Sequence, residues 1–292
     1  MKAIIGVDSN EYTDEILGLL ARLEFPSPQI ELLNVVDATL PVLTGDLVGA
    51  AAASFIDTRR RLGESVLKEA EDSAEKLGFK AMTSQVYGPV TTTLMDHATE
   101  QNADLIAVRA ALRGPLDSVV YGSVSRALAM GSKQSVLVVK GGHWKDGPVR
   151  AVIATDHSEY CNRAIEHFLQ LHAGGIEKVC VMTAYQVDDE ESHVLHINLA
   201  KLGGQVDNWI EEHLTEKTEA IAAKFTAAGI EAEARVVKGH ANDAIRETMN
   251  DFGGELLILG AHGHGFLERL IIGSVALHQV VGEPYSTFLV RA

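Results

Sequence analysis

Apolar residues in this chain come in short, nearly unbroken runs separated by longer stretches of helical spacing. In the second half the runs are RAVIAT (150–155), KVCVMTA (178–184), EAEARVV (231–237), ELLILG (255–260) and STFLVR (286–291). Their β-branched and aliphatic content predicts strands buried on both faces of a parallel sheet. Between them, SEYCNRAIEHFLQLHA, QVDNWIEEHLTEKTEAIAAKFTAAG, ANDAIRETMNDF and GSVALHQVV predict helices. Ser158 stands where an N-cap belongs, and Gly174-Gly175 and Gly229 read as helix stops. The first half has the same layout: KAIIGV, a helix near 10–23, ELLNVV, a long helix near 54–77, TSQVY, a helix near 91–101, DLIAV, SVSRALAM and SVLVV. Residues 38–53 and 185–205 carry no pattern that assigns them.

The two halves are one text written twice. AIIGVDSNEYTDEIL at 3–17 aligns with AVIATDHSEYCNRAI at 151–165, placing Asp8 over Asp156. ADLIAVR at 103–109 matches GELLILG at 254–260, GSV recurs at 122–124 and 273–275, and SVLVVK at 135–140 matches STFLVR at 286–291. The join falls in KGGHWKDGP at 140–148, a short glycine-containing linker. Two domains are therefore expected, 1–143 and 149–292, and the fold class is α/β: two tandem copies of a five-stranded, doubly wound parallel sheet. In such sheets ligands bind beyond the carboxyl ends of the strands, where the strand order reverses. Asp156 and Gly260 both fall at strand carboxyl ends.

Chemistry concentrates in GAHGHGFLERLIIGSV at 260–275. Glycine lacks a Cβ to block a ligand pressed against the main chain, and it can take a positive φ at a sharp turn. Gly273-Ser274-Val275 opens a helix whose first N–H groups and positive dipole end suit an anion. Asp156 is placed to hold a divalent ion or a ribose hydroxyl. The Walker pattern GxxxxGK[ST] and the dinucleotide pattern GxGxxG are both absent. By themselves the glycines would serve equally for a tight turn and close helix packing.

Gly260, Gly263, Gly273 and Ser274, spaced G-x2-G-x9-G-S, together with Asp156 and the tandem repeat, resemble the universal stress protein family. LLNVVD at 32–37 is similar to the family's second strand. The resemblance spans essentially the whole chain. It implies an adenine nucleotide alpha hydrolase-like, Rossmann-like fold, ATP with Mg²⁺ in the cleft, and dimerisation through the last strand. The residues it implies as nucleotide-binding are Thr155, Asp156, Ala184, Gly260, His262, Gly263, His264, Gly273, Ser274 and Val275. Asp156 would meet Mg²⁺ through the nucleotide, and adenine would lie near Thr183-Ala184. The first copy departs from the pattern, with Arg109 and Leu112 where the two glycines belong. Their side chains are expected to fill the phosphate space, so that this half does not bind ATP in the family's manner. It would act instead as the partner that single-domain relatives find in a second chain, giving a pseudo-dimer within one chain. The sequence does not reveal whether two such chains pair as a homodimer.

Charge and composition narrow the functional classes. The net charge of −15 over 292 residues argues against nucleic acid as a partner. Residues 1–145 carry 18 acidic and 14 basic side chains and residues 146–292 carry 22 and 11, so an anion in the second half must be held by backbone dipoles and a metal. No signal peptide or membrane span is expected, and the chain reads as cytoplasmic. Cys161 and Cys180 form no CxxC pair, and Cys180 reads as a buried, inert thiol. His193 and His196, beside the acidic run 188–191, read as a solvated loop. No nucleophile and base converge, so no catalytic residue is assigned. The expected function is ATP-dependent regulation in a stress response, with slow Mg-dependent ATP hydrolysis in the same pocket as the rival.

Overall fold

A computed structural model of the chain describes residues 1–8, 10–37, 48–110, 122–141, 147–186, 206–261 and 272–292. In the first half, β1 (Lys2–Gly6), α1 (Asn10–Leu23), β2 (Gln29–Val36), α2 (Val48–Lys76), β3 (Ala81–Tyr87), α3 (Val90–Glu100), β4 (Leu105–Arg109), α4 (Ser123–Gly131) and β5 (Ser135–Val139) follow in order. The second half repeats the series as β6 (Val149–Ala154), α5 (Glu159–Gln170), β7 (Ile176–Tyr185), α6 (Val206–Ala227), β8 (Glu231–Lys238), α7 (Ala241–Phe252), β9 (Leu256–Gly260), α8 (Ser274–Gly282) and β10 (Ser286–Val290).

The ten strands form one sheet in the order β3-β2-β1-β4-β5-β10-β9-β6-β7-β8. Each half is parallel throughout, and the halves join where β5 and β10 pair antiparallel, Leu137 opposite Phe288. The strand order reverses between β1 and β4 in one half and between β6 and β9 in the other. Strands β1, β4, β5, β6, β9 and β10 bury nearly every side chain because helices cover both faces, which is why they read as continuous apolar runs. The edge strands β3 and β8 are partly exposed and more polar.

Two apolar layers sandwich the sheet, and each runs unbroken across the seam between the halves. On one face Phe288 meets Phe25 of the first half edge-on at 6.5 Å and Phe168 of the second at 5.4 Å. On the other face α4 and α8 pack against each other. Arg22 of α1 adds a polar tie, pairing with Glu255 at 2.9 Å and donating to the Gly147 carbonyl at 2.9 Å.

Two local expectations need correction. Helix α2 begins at Val48, upstream of the expected start near residue 54, through the run of Ala50–Ala53, the strongest helix former. Helix α5 ends at Gln170 rather than at Gly174-Gly175, with His172 in the left-handed region at φ 51°. Those glycines serve another purpose: their N–H groups donate to the carbonyls of Glu24 and Leu23 at 3.4 and 3.2 Å, where the second half docks on the end of α1. Of residues 38–53 and 185–205, for which the sequence offered no assignment, 38–47 and 187–205 lie outside the described residues, as do His193 and His196.

Candidate functional site

Three strand ends, of β7, β6 and β9, stand side by side at the order reversal of the second half. Thr155 extends the β6 ladder by one residue, its N–H donating to the Met182 carbonyl at 2.9 Å. The chain then turns sharply into α5. The Thr155 hydroxyl accepts from the N–H of His157 at 3.0 Å, and the Asp156 carboxylate accepts from the N–H of Ser158 at 2.9 Å. Ser158 caps α5 as expected, its hydroxyl accepting from the N–H of Cys161 at 3.1 Å. His157 takes the left-handed conformation, φ 59°, and its Nε2 lies 3.0 Å from the Thr183 hydroxyl and 3.3 Å from that of Thr218. This turn leaves Asp156 exposed at the rim of the switch point.

Gly260 ends β9 paired with Val290, and neither it nor Arg109 has a left-handed φ. The expected positive-φ turn at this position is therefore absent. Gly260 brings main chain to the wall of the cavity. Ala261 continues the ladder, and its carbonyl accepts from the N–H of Gly273 at 3.0 Å. The strand end and the start of α8 are thereby drawn together at the base of residues 262–271. Gly273 is the N-cap of α8 (φ −62°, ψ 147°) with no side-chain cap. The first N–H groups of a helix have no acceptor within it, so the α8 start offers donors to a ligand.

Asp156, Gly260, Gly273, Ser274 and Val275 line one cavity of about 290 Å³. That is close to the lower end of the ~300–1,000 Å³ usual for small-molecule sites. Strand order sets its chemistry from side to side. Ala184 at the end of β7 stands two strands, about 10 Å, from Gly260, with Asp156 between them. Met182, Ala241 and Ile245 make the β7 side apolar, while Gly260, Gly273 and Ser274 stand with Leu259, Val275 and Ala276 on the β9 side. The described lining includes no Lys or Arg.

Of the sequence-predicted set, Thr155, Asp156, Ala184, Gly260, Gly273, Ser274 and Val275 come together here. His262, Gly263 and His264 lie outside the described residues. Thr183 faces away from the cavity, its buried hydroxyl donating to the Thr155 carbonyl. The apolar wall from α7 went unnoticed in the sequence, although Ala241 and Ile245 share one helix face by their four-residue spacing. Burial raises the pKa of both thiols, that of Cys180 to about 11, in keeping with inert cysteines.

The matching region of the first half overturns one expectation. Arg109 does not fill it. Its guanidinium turns to α1, where Nε donates to Glu15 at 2.7 Å and the charge lies 3.9 Å over the Tyr12 ring. Leu105 and Ala107 pack on that same face, so strand alternation sends Arg109 there too. A cavity of about 590 Å³ remains, with Arg109 in its wall beside Asp8, Asn34, Gly122 and Ser123. Leu112, the other residue expected to block it, lies outside the described residues.

The family model of the universal stress protein family matches residues 1–140 and again 149–282. The chain belongs to the universal stress protein family. Solved structures agree with this tandem universal stress protein in fold. A universal stress protein from Archaeoglobus fulgidus DSM 4304 is 20% identical, with a TM-score of 0.71 over 99% of this chain and 98% of its own. A functionally unknown protein from Pseudomonas aeruginosa PAO1 is 13% identical, with a TM-score of 0.60 over 99% and 92%. A family protein from Arabidopsis thaliana, solved with AMP bound, is 12% identical and covers 49% of this chain and 93% of its own, with a TM-score of 0.36. No helix among the described residues is long and apolar enough to cross a membrane.

Proposed function

We propose that the carboxy-terminal half binds ATP with Mg²⁺ as a regulatory ligand in a stress response, acting by occupancy rather than by turnover. The observation that carries this reading is the convergence of Asp156, the Gly260 main chain and the uncapped Gly273-Ser274 helix start on one cavity. An apolar end at Ala184, Met182 and Ile245 suits a purine, and the α8 start suits phosphate oxygens. Asp156 in the middle is in reach of a ribose or of a metal carried by the phosphates.

The donor set fits Mg²⁺ only in company with phosphate. Asp156 is a single exposed carboxylate, and no group of three or more His, Cys, Asp or Glu gathers among the described residues. Mg²⁺ is commonly held in this way, by one or two carboxylates plus substrate phosphates and water. When bound it would neutralise phosphate charge in a half whose own field is acidic. The first half, which departs from the glycine pattern at Arg109 and Leu112, does not hold ATP in this manner and supports the second half across β5 and β10.

Mass spectrometry of ligand released from freshly purified protein, with calorimetric titration of ATP with and without Mg²⁺, tests the reading. Stoichiometric ATP without release of ADP is expected. Sustained ADP release abolished by Asp156→Ala would replace it with a slow ATPase. Absence of any nucleotide, with no effect of ATP on thermal unfolding, would refute both.

A further inference from the structure

The last strand of each half is followed by a basic residue that crosses the seam. Lys140, after β5, is 2% exposed, and its ammonium donates to the carbonyls of Gln279 and Glu283 at 2.9 and 2.6 Å, at the carboxyl end of α8. Arg291, after β10, is 8% exposed and donates to the Ala129 carbonyl near the end of α4 at 2.5 Å. The main chain repeats the exchange: Lys140 N–H donates to the Ser286 hydroxyl at 3.0 Å and Arg291 N–H to that of Ser135 at 3.1 Å. Each half thus holds, from behind, the helix whose front lines the other half's cavity.

We infer that Lys140 is a positioning residue for the carboxy-terminal cavity: gripping the carbonyl end of α8 from the other half, it sets where the Gly273-Ser274 turn stands against a phosphate. Arg291 has the same part toward α4 and the amino-terminal cavity. The inference rests on the nucleotide reading above. A helix of nine residues (Ser274–Gly282) is a stiff rod of about 13 Å, so a shift at its carboxyl end passes to its first turn. The last carbonyls of a helix lack partners within it, and a cation there also favours the dipole that faces the anion. Polar holds on this end also come from the second half itself. Arg246 pairs with Glu283 at 2.7 Å, and Gln279 donates to Asn242 at 3.0 Å and accepts from Tyr285. Lys140 adds a hold from the first half, so the binding surface of one half depends on a residue of the other.

Titration of the full chain with ATP and with adenosine separates positioning from general loosening. Lys140→Met is expected to weaken ATP about threefold to tenfold while leaving adenosine affinity unchanged. Lys140→Arg should restore ATP binding, and Arg291→Met should leave it as in the native protein. If Lys140→Met does not fold, Lys140→Gln takes its place with the same expected outcome. Equal ATP affinity in the native and Met proteins, or equal loss of ATP and adenosine, would overturn the positioning role alone. A native protein that binds no ATP would overturn the nucleotide reading and the positioning role with it.

Discussion

Gly175 of the second half presses against Arg22 of the first so closely that a Cβ added to it would stand 1.7 Å from the Arg22 carbonyl oxygen. The obstacle is backbone at the end of a packed helix, which cannot swing aside as a side chain would. Gly175→Ala is therefore expected to destabilise the protein by about 1–3 kcal/mol. At Gly174 the nearest atom is 3.6 Å away, an ordinary contact. Urea midpoints should fall clearly for Gly175→Ala and little for Gly174→Ala, and equal midpoints would mean that the seam is looser than described.

Phe288 joins the halves through a fully buried ring that meets Phe25 and Phe168 edge-on. Phe288→Ala leaves a cavity in a layer shared by both halves. A loss of about 3–5 kcal/mol is expected, with both halves weakened together, since the apolar layer does not stop at the seam. Hydrogen exchange that speeds up in β9 and β10 alone would contradict this shared layer.

Asp156 has an observed part in the turn and a proposed one toward the ligand, and substitutions separate them. Its carboxylate accepts from Ser158 N–H, a bond that Asn can also make. Asp156→Asn should therefore keep thermal stability close to native while lowering Mg-dependent ATP affinity. Asp156→Ala should lose both, with a stability cost of about 1 kcal/mol. Unchanged ATP affinity in the Asn variant would remove Asp156 from the site.

Ala184 offers a steric test of the apolar end. Ala184→Phe would fill a large part of the cavity of about 290 Å³. In the native protein, ATP at a hundred times its dissociation constant is expected to add about 2.7 kcal/mol of stability. That ATP-dependent rise in thermal midpoint should vanish in the variant, and its persistence would place the base elsewhere.

Lys140 makes stability depend on pH in a calculable direction. Burial pulls its pKa down from 10.5 to about 7, against the opposing attraction of Glu283. An unfolded chain keeps the proton up to the ordinary lysine range, so between those values the unfolded state binds more protons than the folded one. Stability then rises with pH across that window, and the penalty of a buried charge is present in full below it. Lys140→Met lacks this slope. From pH 7 toward pH 9, urea unfolding should show the native protein gaining on the variant, and parallel pH profiles would count against the buried ammonium.

Much of the fold was legible because parallel strands covered on both faces write themselves as apolar runs, and because the text repeats. The limits of α7 match the sequence reading residue for residue, and Ser158 caps α5 where its position before the helix said it would. The cavity-lining set was legible where the chemistry is local: a carboxylate at a strand end, a glycine, a helix opening on Gly-Ser. Arg109 shows where that legibility stops. Alignment placed it over Gly260, and only the packing of α1 on that face of the strand supplies the partners, Glu15 and Tyr12, that its guanidinium meets.

The sequence by itself determined the elements, their order, the repeat and the residue types at the strand ends, since each follows from neighbours a few positions apart. The tertiary structure alone decided that the halves share one sheet, that Gly174-Gly175 dock on α1 rather than stop α5, and that Lys140 and Arg291 exchange helices across the seam. Those contacts join residues more than a hundred positions apart. Which partner a buried cation or a bare glycine meets at that range depends on how two curved layers pack, and no local pattern in the chain encodes it.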